Sequence, residues 1–342
     1  MRIGILTGGG DAPGLNGVIE SVTRTLLQHK IQVIGIKNGF EGIYKQNIID
    51  LNLNSISHAH SFAGTILGSS NKSAISGNED NFISQYKKLQ LDGLVVCGGD
   101  GTFKALEAVK NEVNFIGVPK TIDNDLHGTD ITFGFDTACT VVSESVDALR
   151  YTAEAHERII VVETMGRTAG WISLYGGLSS YADIILIPER PYSKEKLFIH
   201  LNNLKNEGKK SIMVVAAEGA FELNSSQSIA FTENNSPEKN RLGGFAFQLS
   251  RQIEKELSWE SRHVVLGHLQ RSRPPSHFDR ILTLQFGIEA STQVLNKNWG
   301  NGIVYKNGKI DIEKIEVLMQ GARNVNLDHE MLKKAANLGI FI

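Results

Sequence analysis

Apolar residues along this chain fall in short runs, separated by longer stretches in which apolar positions recur every three or four residues. The runs Ile3–Thr7, Ile31–Ile36, Gly93–Cys97, Val113–Val118, Ile159–Glu163, Ile184–Ile187, Ile212–Ala216 and Val264–Leu266 are rich in Val and Ile and too short for helices, so they predict strands. They are apolar on both faces, as expected of strands buried in parallel sheets with helices on either side. The order strand, turn, helix, strand holds for most of the length, which is an α/β pattern. Only Glu222–Arg241, with Asn-Ser-Ser, Asn-Asn-Ser-Pro and mixed charges, lacks usable periodicity and reads as a mobile surface loop.

A chain of 342 residues exceeds one comfortable core and suits two compact domains of ~100–200 residues with a cleft between them. Its formal charge of −2 gives no pull toward nucleic acid or an anionic membrane, which points to a small-molecule partner. Two cysteines, Cys97 and Cys139, match neither a disulfide framework nor a paired-thiolate zinc site, so a reducing cytoplasm is expected. The opening MRIGILTGGGDAPG enters a strand and a glycine turn without the regions of a secretory peptide. No apolar run approaches the ~20 residues that span a bilayer.

In open parallel sheets ligands collect at the carboxyl ends of strands, where helix N-termini present unpaired N–H groups. The first strand runs into Gly8-Gly9-Gly10-Asp11-Ala12-Pro13-Gly14, a loop whose backbone can approach a phosphate, although it lacks the Gly-Lys-Ser/Thr ending of a P-loop. The third ends at Gly98-Gly99-Asp100-Gly101-Thr102 and opens a helix through Phe103–Val109; here Asp100 is a hard ligand for magnesium, or else an ordinary helix cap. The next ends in Pro119-Lys120-Thr121-Ile122-Asp123-Asn124-Asp125, which on an extended segment puts two carboxylates on one side. One of them suits an alcohol proton that becomes acidic during phosphoryl transfer. Arg167, after Thr164-Met165-Gly166, can neutralise phosphoryl oxygens. Arg262 and Gly267-His268-Leu269-Gln270-Arg271 offer two guanidinium forks and an imidazole suited to a phosphate monoester.

Taken in order, GGGDAPGLN, GTILGS, GGDGT, PKTIDND, ETMGRTAGW, AAEGA and LGHLQR resemble the signature of the phosphofructokinase family, from residue 1 to about residue 325. GGDGT alone also fits NAD kinases and diacylglycerol kinases; PKTIDND, MGR and LGHLQR are far more specific. The resemblance implies two Rossmann-like domains with mainly parallel sheets and the active site in the interdomain cleft. A phosphoryl-donor domain would comprise residues 1–138 and about 275–323, and a sugar-phosphate domain about 139–274 and 324–342. It further implies transfer of the γ-phosphoryl of ATP, with Mg2+, to the 1-hydroxyl of fructose 6-phosphate, a step of glycolysis.

On the same resemblance Asp123 is the general base with Asp125 nearby, Asp100 is at the magnesium, and Arg167 and the Gly10 backbone stabilise the transferring phosphoryl. Thr121, Ile122, Met165, Gly166 and Glu218 would line the sugar. Arg158, Arg262, His268 and Arg271 match contacts to the sugar and its 6-phosphate, two of these arginines normally arriving from a neighbouring subunit, so a homodimer or homotetramer is expected. Gly99, Asp100, Gly101 and Thr102 would meet the nucleotide, with Phe40 stacking on adenine and Asn71 and Lys72 replacing an Arg-containing pair near its phosphates.

Gly101 and Lys120 set the donor and point opposite ways, because the pyrophosphate-dependent branch carries Asp at the first position and Lys at the second. An Asp would repel the α-phosphate of a nucleotide whereas Gly101 leaves room, so ATP is the expected donor and pyrophosphate the alternative. A catalytically silent sugar-phosphate or nucleotide sensor, and acceptors such as tagatose 6-phosphate or sedoheptulose 7-phosphate, also remain open. The family's cationic effector site is altered: Glu20, Leu53 and Glu207 stand where Arg, Arg and Lys are expected, while Arg24, Arg150, Lys209 and Lys210 remain. ADP activation is therefore expected to be absent.

Overall fold

The computed structural model describes residues 1–70, 75–232 and 240–342. In chain order its strands are β1 (Arg2–Thr7), β2 (Gln32–Ile36), β3 (Ile48–Leu51), β4 (Gly93–Gly98), β5 (Phe115–Pro119), β6 (Ile159–Thr164) and β7 (Ile184–Leu186). There follow β8 (Ile212–Ala217), β9 (Ile229–Thr232), β10 (Asn240–Leu242), β11 (Ser261–Val265), β12 (Asn301–Lys306) and β13 (Lys309–Lys314). The chain divides into one unit of Met1–Thr137 with Arg271–Ala322 and another of Ala138–Gln270 with Arg323–Ile342. None of the helices described is long and apolar enough to cross a membrane.

The first unit holds a seven-stranded sheet in the order β13-β12-β5-β4-β1-β2-β3. Its interior pairings, β12–β5, β5–β4, β4–β1 and β1–β2, are parallel, and antiparallel β3 and β13 close the edges. Alternation within each strand sends side chains to two cores. Val95 and Cys97 pack with Ile3, Ile5 and Phe286 on one face, whereas Leu94 and Val96 pack with Leu6, Phe82 and Phe103 on the other. This accounts for strands that are apolar throughout: both faces are covered. The second unit holds β11-β6-β8-β7, all parallel, with Ile159, Val161, Val214 and Ala216 buried against Leu197, Leu201, Leu249 and Ile253 of two helices.

The parallel α/β architecture agrees with the sequence expectation, and several elements differ from it. The eighth strand lies at Ser261–Val265, earlier than Val264–Leu266, because β11 is an edge whose Arg262 and His263 face outward. The helix expected at Phe103–Val109 begins at Asp100 and ends at Glu107. The region expected to be a loop, Glu222–Arg241, contains β9 and the start of β10, paired antiparallel; residues 233–239 lie outside the described residues.

A buried carboxylate fixes the end of the first unit's opening segment. Asp279 accepts the N–H groups of Gly134 and Thr137, both at 2.9 Å, and the Thr137 hydroxyl at 2.5 Å. Ser276 caps the helix His277–Leu295 by accepting the Asp279 N–H at 3.2 Å. Burial pushes the Asp279 carboxyl up to about 6, against the pull of those hydrogen bonds. Its folded value thus lies above its unfolded one, so the native state takes up a proton that the unfolded chain does not as pH falls through 6 toward 4. The stability contributed by this group rises across that window and is lost as pH rises through 6. In chemical denaturation, the advantage of wild type over the non-titrating Asp279→Asn is expected to grow by roughly 1 kcal/mol between pH 7 and pH 5. A constant difference would contradict the account.

Candidate active site

In the first unit, β5, β4 and β1 are consecutive in the sheet, so the three loops carrying unusual chemistry leave the same edge side by side. Between β4 and β1 the chain order reverses direction, which is where ligands bind in open α/β sheets. The β1 loop is tied to its neighbours: Gly8 N–H donates to the Cys97 carbonyl at 2.8 Å and Gly9 N–H to the Ser70 carbonyl at 3.1 Å. A cavity of about 400 Å³ opens here, lined by Gly9, Gly10, Asp11, Gly64, Thr65, Ser69 and Ser70.

Asp100 occupies the first turn of its helix, favourably placed at the positive end of the dipole. One carboxylate oxygen accepts the Gly101 N–H at 2.6 Å and the other the Lys104 ammonium at 3.1 Å, while about a third of the side chain, 35%, stays exposed. Among the described residues no group of three or more His, Cys, Asp or Glu could hold a metal by itself. A single accessible carboxylate does fit magnesium, which keeps most of its waters and takes its remaining ligands from substrate phosphates. A Cβ built on Gly101 meets no atom within 4 Å, so the space beside Asp100 is left open by the protein.

The segment after β5 is a turn, not the extended run used to set its two carboxylates on one side. Asn124 adopts the left-handed region, φ 53°. Its side chain holds the turn: Oδ1 accepts the Thr132 N–H at 2.9 Å and Nδ2 donates to the Asp130 carbonyl at 3.2 Å. Thr121 Oγ1 accepts the Asp123 N–H at 3.1 Å. Asp123, Asp125 and Ile122 are all buried, so Ile122 offers a ligand little beyond its backbone.

Lys120 is only 4% exposed, and its ammonium donates to the Gly10 carbonyl at 2.5 Å. Burial pushes its pKa down to about 8, and Arg271 adds to the effect, with Asp123, Asp125 and Asp11 opposing. Arg271 pairs with Asp11 at 3.2 Å and lies against Gly10, where an added Cβ would come within 2.8 Å of a guanidinium nitrogen. This arginine therefore belongs to the first unit and to the Gly10 loop, whereas Arg158, Arg262 and His268, grouped with it by resemblance, belong to the second.

In the second unit the ends of β11, β6 and β8 are likewise adjacent. Arg167 N–H donates to Glu218 at 2.9 Å, Glu218 N–H to the Thr164 carbonyl at 2.9 Å, and Met165 N–H to Gln270 at 3.3 Å. The turn demands glycine at 166: φ is 131°, and a Cβ would lie 2.4 Å from the Ala169 carbonyl oxygen. Gln270 is fully buried and joins the strand ends, a role hidden within LGHLQR because an amide there reads as surface. Arg158 faces Glu260 at 3.4 Å; Arg262 bonds Glu254 and Glu260, both at 2.7 Å, and His268 is exposed.

Phe40, which the resemblance assigns to stacking on adenine, has its ring turned into the core. It is 5% exposed and packs edge-on against Phe82, with centroids 5.7 Å apart, because apolar surface beside β2 draws it into the core. Asn71 and Lys72 lie outside the described residues.

The cations left from the effector set are already engaged. Arg24 bonds Glu20 at 2.7 Å, and His60 donates its N–H to the same carboxylate at 2.9 Å. Burial pushes the Glu20 carboxyl up, but hydrogen bonds from His60 and Arg24 outweigh it and hold the group below its ordinary value. In the second unit Lys209 pairs with Asp183, Lys210 with Glu157 at 2.6 Å, and Arg150 donates to the Ser180 carbonyl at 2.7 Å. Leu53 and Glu207 are exposed and contribute no cation.

Comparison with known proteins accords with these features. The phosphofructokinase family model matches residues 2–294. The chain is 41% identical to ATP-dependent 6-phosphofructokinase 2 of Clostridium perfringens, over 99% of this chain and 97% of that one. It is 40% identical to the pyrophosphate–fructose 6-phosphate 1-phosphotransferase of Dictyoglomus thermophilum, over 95% of each. Its fold is similar to that of phosphofructokinase from Saccharomyces cerevisiae, TM-score 0.82 at 24% identity, over 93% of this chain; it spans 44% of the yeast chain's length. On its sequence, and with a fold that accords, the chain belongs to the phosphofructokinase family.

Proposed function

We propose that this protein is an ATP-dependent 6-phosphofructokinase acting in glycolysis. The observation that carries the reading is the open space at Gly101 beside the accessible carboxylate of Asp100, on a sheet edge where two further loops bring Gly10, Asp123 and Lys120. Met165, Gly166, Arg167 and Glu218 line the sugar, and Arg158, Arg262 and His268 meet it and its 6-phosphate. Thr121 and the Ile122 backbone also contact the acceptor. Arg271 contributes its charge from beside Gly10.

In the reaction the 1-hydroxyl oxygen of fructose 6-phosphate forms a bond to the γ-phosphorus as the bond to the β–γ bridging oxygen breaks, and ADP leaves. Asp123 takes the hydroxyl proton, while Asp125 orients the neighbouring polar groups. Arg167 and the Gly10 loop stabilise charge on the transferring oxygens. Magnesium, held by Asp100, would screen the donor's phosphates. The protein works in the cytoplasm as a homodimer or homotetramer in which arginines from a neighbouring copy complete the sugar site.

Pyrophosphate as donor is the second reading, favoured by Lys120 and by the 40% identity to the Dictyoglomus enzyme. Formation of fructose 1,6-bisphosphate from fructose 6-phosphate and magnesium, with ATP and with pyrophosphate side by side, tests both. Product with ATP alone supports the proposal, product with pyrophosphate alone replaces it by the second reading, and none with either leaves a sensor or another acceptor.

ADP is expected to leave the fructose 6-phosphate saturation curve unmoved. Arg24, Lys209 and Lys210 each face a carboxylate, and a further phosphate would meet Glu20 as a like charge. A leftward shift of the curve with added ADP would refute this.

A further inference from the structure

The loop after β1 is held by two side chains that grip its carbonyls. Ser69 Oγ lies 2.5 Å from the Gly9 carbonyl oxygen, nearer than its 3.1 Å approach to the Thr7 carbonyl, and the Lys120 ammonium lies 2.5 Å from the Gly10 carbonyl oxygen. A trans peptide carries its N–H on the edge opposite its C=O, and this chain has no cis bond among the described residues. Gripping the Gly9 carbonyl therefore sets the direction of the Gly10 N–H, and gripping the Gly10 carbonyl sets that of the Asp11 N–H. Without such anchors a glycine pair is the part of a chain most able to turn its peptides over. Gly9 sits at φ 77°, in the region that glycine enters without penalty.

We propose that Ser69 and Lys120 are positioning residues: they hold the Gly9–Gly10 peptides so that consecutive N–H groups are preset to receive the oxygens of the transferring phosphoryl. The assignment rests on the phosphoryl-transfer reading above. It gives Lys120 a role with either donor, distinct from selection between them. A preset donor pair stabilises developing charge without reorganising during the reaction, so its effect falls on turnover more than on acceptor binding.

The test uses the full-length protein with Lys120→Met, which keeps much of the side-chain length and removes the donor, and Ser69→Ala. Hydrogen exchange of the peptide covering residues 8–12 is followed without substrate. Each substitution is expected to speed it by about tenfold, with protection of β4 and β5 unchanged. Turnover is expected to fall about 10- to 100-fold, with KM for fructose 6-phosphate moving by less than about threefold. Unchanged exchange in both variants would overturn the proposal, even with reduced turnover, because Lys120 would then act by direct charge on the donor. If Lys120→Met loses protection throughout the sheet, Ser69→Ala decides on the same criterion. A wild-type protein silent with both donors would sink the functional reading, while the exchange comparison would still decide whether these side chains hold the loop.

Discussion

Replacing Asp123 by serine is expected to lower turnover with ATP and fructose 6-phosphate by about 10²- to 10⁴-fold, the usual contribution of a positioned general base. The structure makes this a clean substitution. The turn is maintained by the Asp123 N–H on Thr121 Oγ1 and by the Asn124 side chain, and serine keeps the first and leaves the second alone. It is smaller than aspartate and uncharged, so no buried charge is introduced. The 1-hydroxyl needs its proton removed only as the bond to phosphorus forms, so KM for fructose 6-phosphate should move little while turnover collapses. Thermal melting of the variant reports separately on folding. Near-normal turnover in a folded protein would remove Asp123 from the role of base.

How much could be read beforehand follows from which physical signals one sequence carries. Strands buried on both faces announce themselves as Val- and Ile-rich runs, and β1, β2, β4, β6 and β8 lie close to where such runs end. The edges do not. β13, Lys-Ile-Asp-Ile-Glu-Lys, alternates because one face is wet, and β3 is only Ile-Ile-Asp-Leu, so neither gave a doubly apolar run. At the site, glycine loops and carboxylates at strand ends were legible because covalent limits on backbone approach leave few residue choices there. Distances across the fold were not. Nothing local to Lys120 says that its ammonium reaches Gly10, 110 positions away, or that Arg271 pairs with Asp11 across 260. Phe40 shows the same limit: the resemblance assigns its ring to stacking on adenine, and the contact with Phe82 that buries it depends on a partner 42 positions on.

Gly101→Asp is expected to separate the two donors. A Cβ at this position meets no protein atom within 4 Å beyond its own helix backbone and chain neighbours, and the residue lies in the first turn of a helix where a carboxylate is tolerated by the dipole, so folding and thermal stability should be nearly unchanged. What changes is the space beside Asp100. A second carboxylate there confronts the α-phosphate of ATP with a like charge in a partly desolvated site, an arrangement that costs several kcal/mol. Turnover per KM for ATP should fall about 100-fold or more, since each 1.4 kcal/mol is a factor of ten. Pyrophosphate has no α-phosphate, only the two phosphates that the Gly10 loop can serve, so its use should persist or rise. The informative quantity is the ratio of the two donors' kcat/KM values in the variant against wild type. If that ratio is unchanged, the open space at Gly101 does not decide the donor, and the weight passes to Lys120.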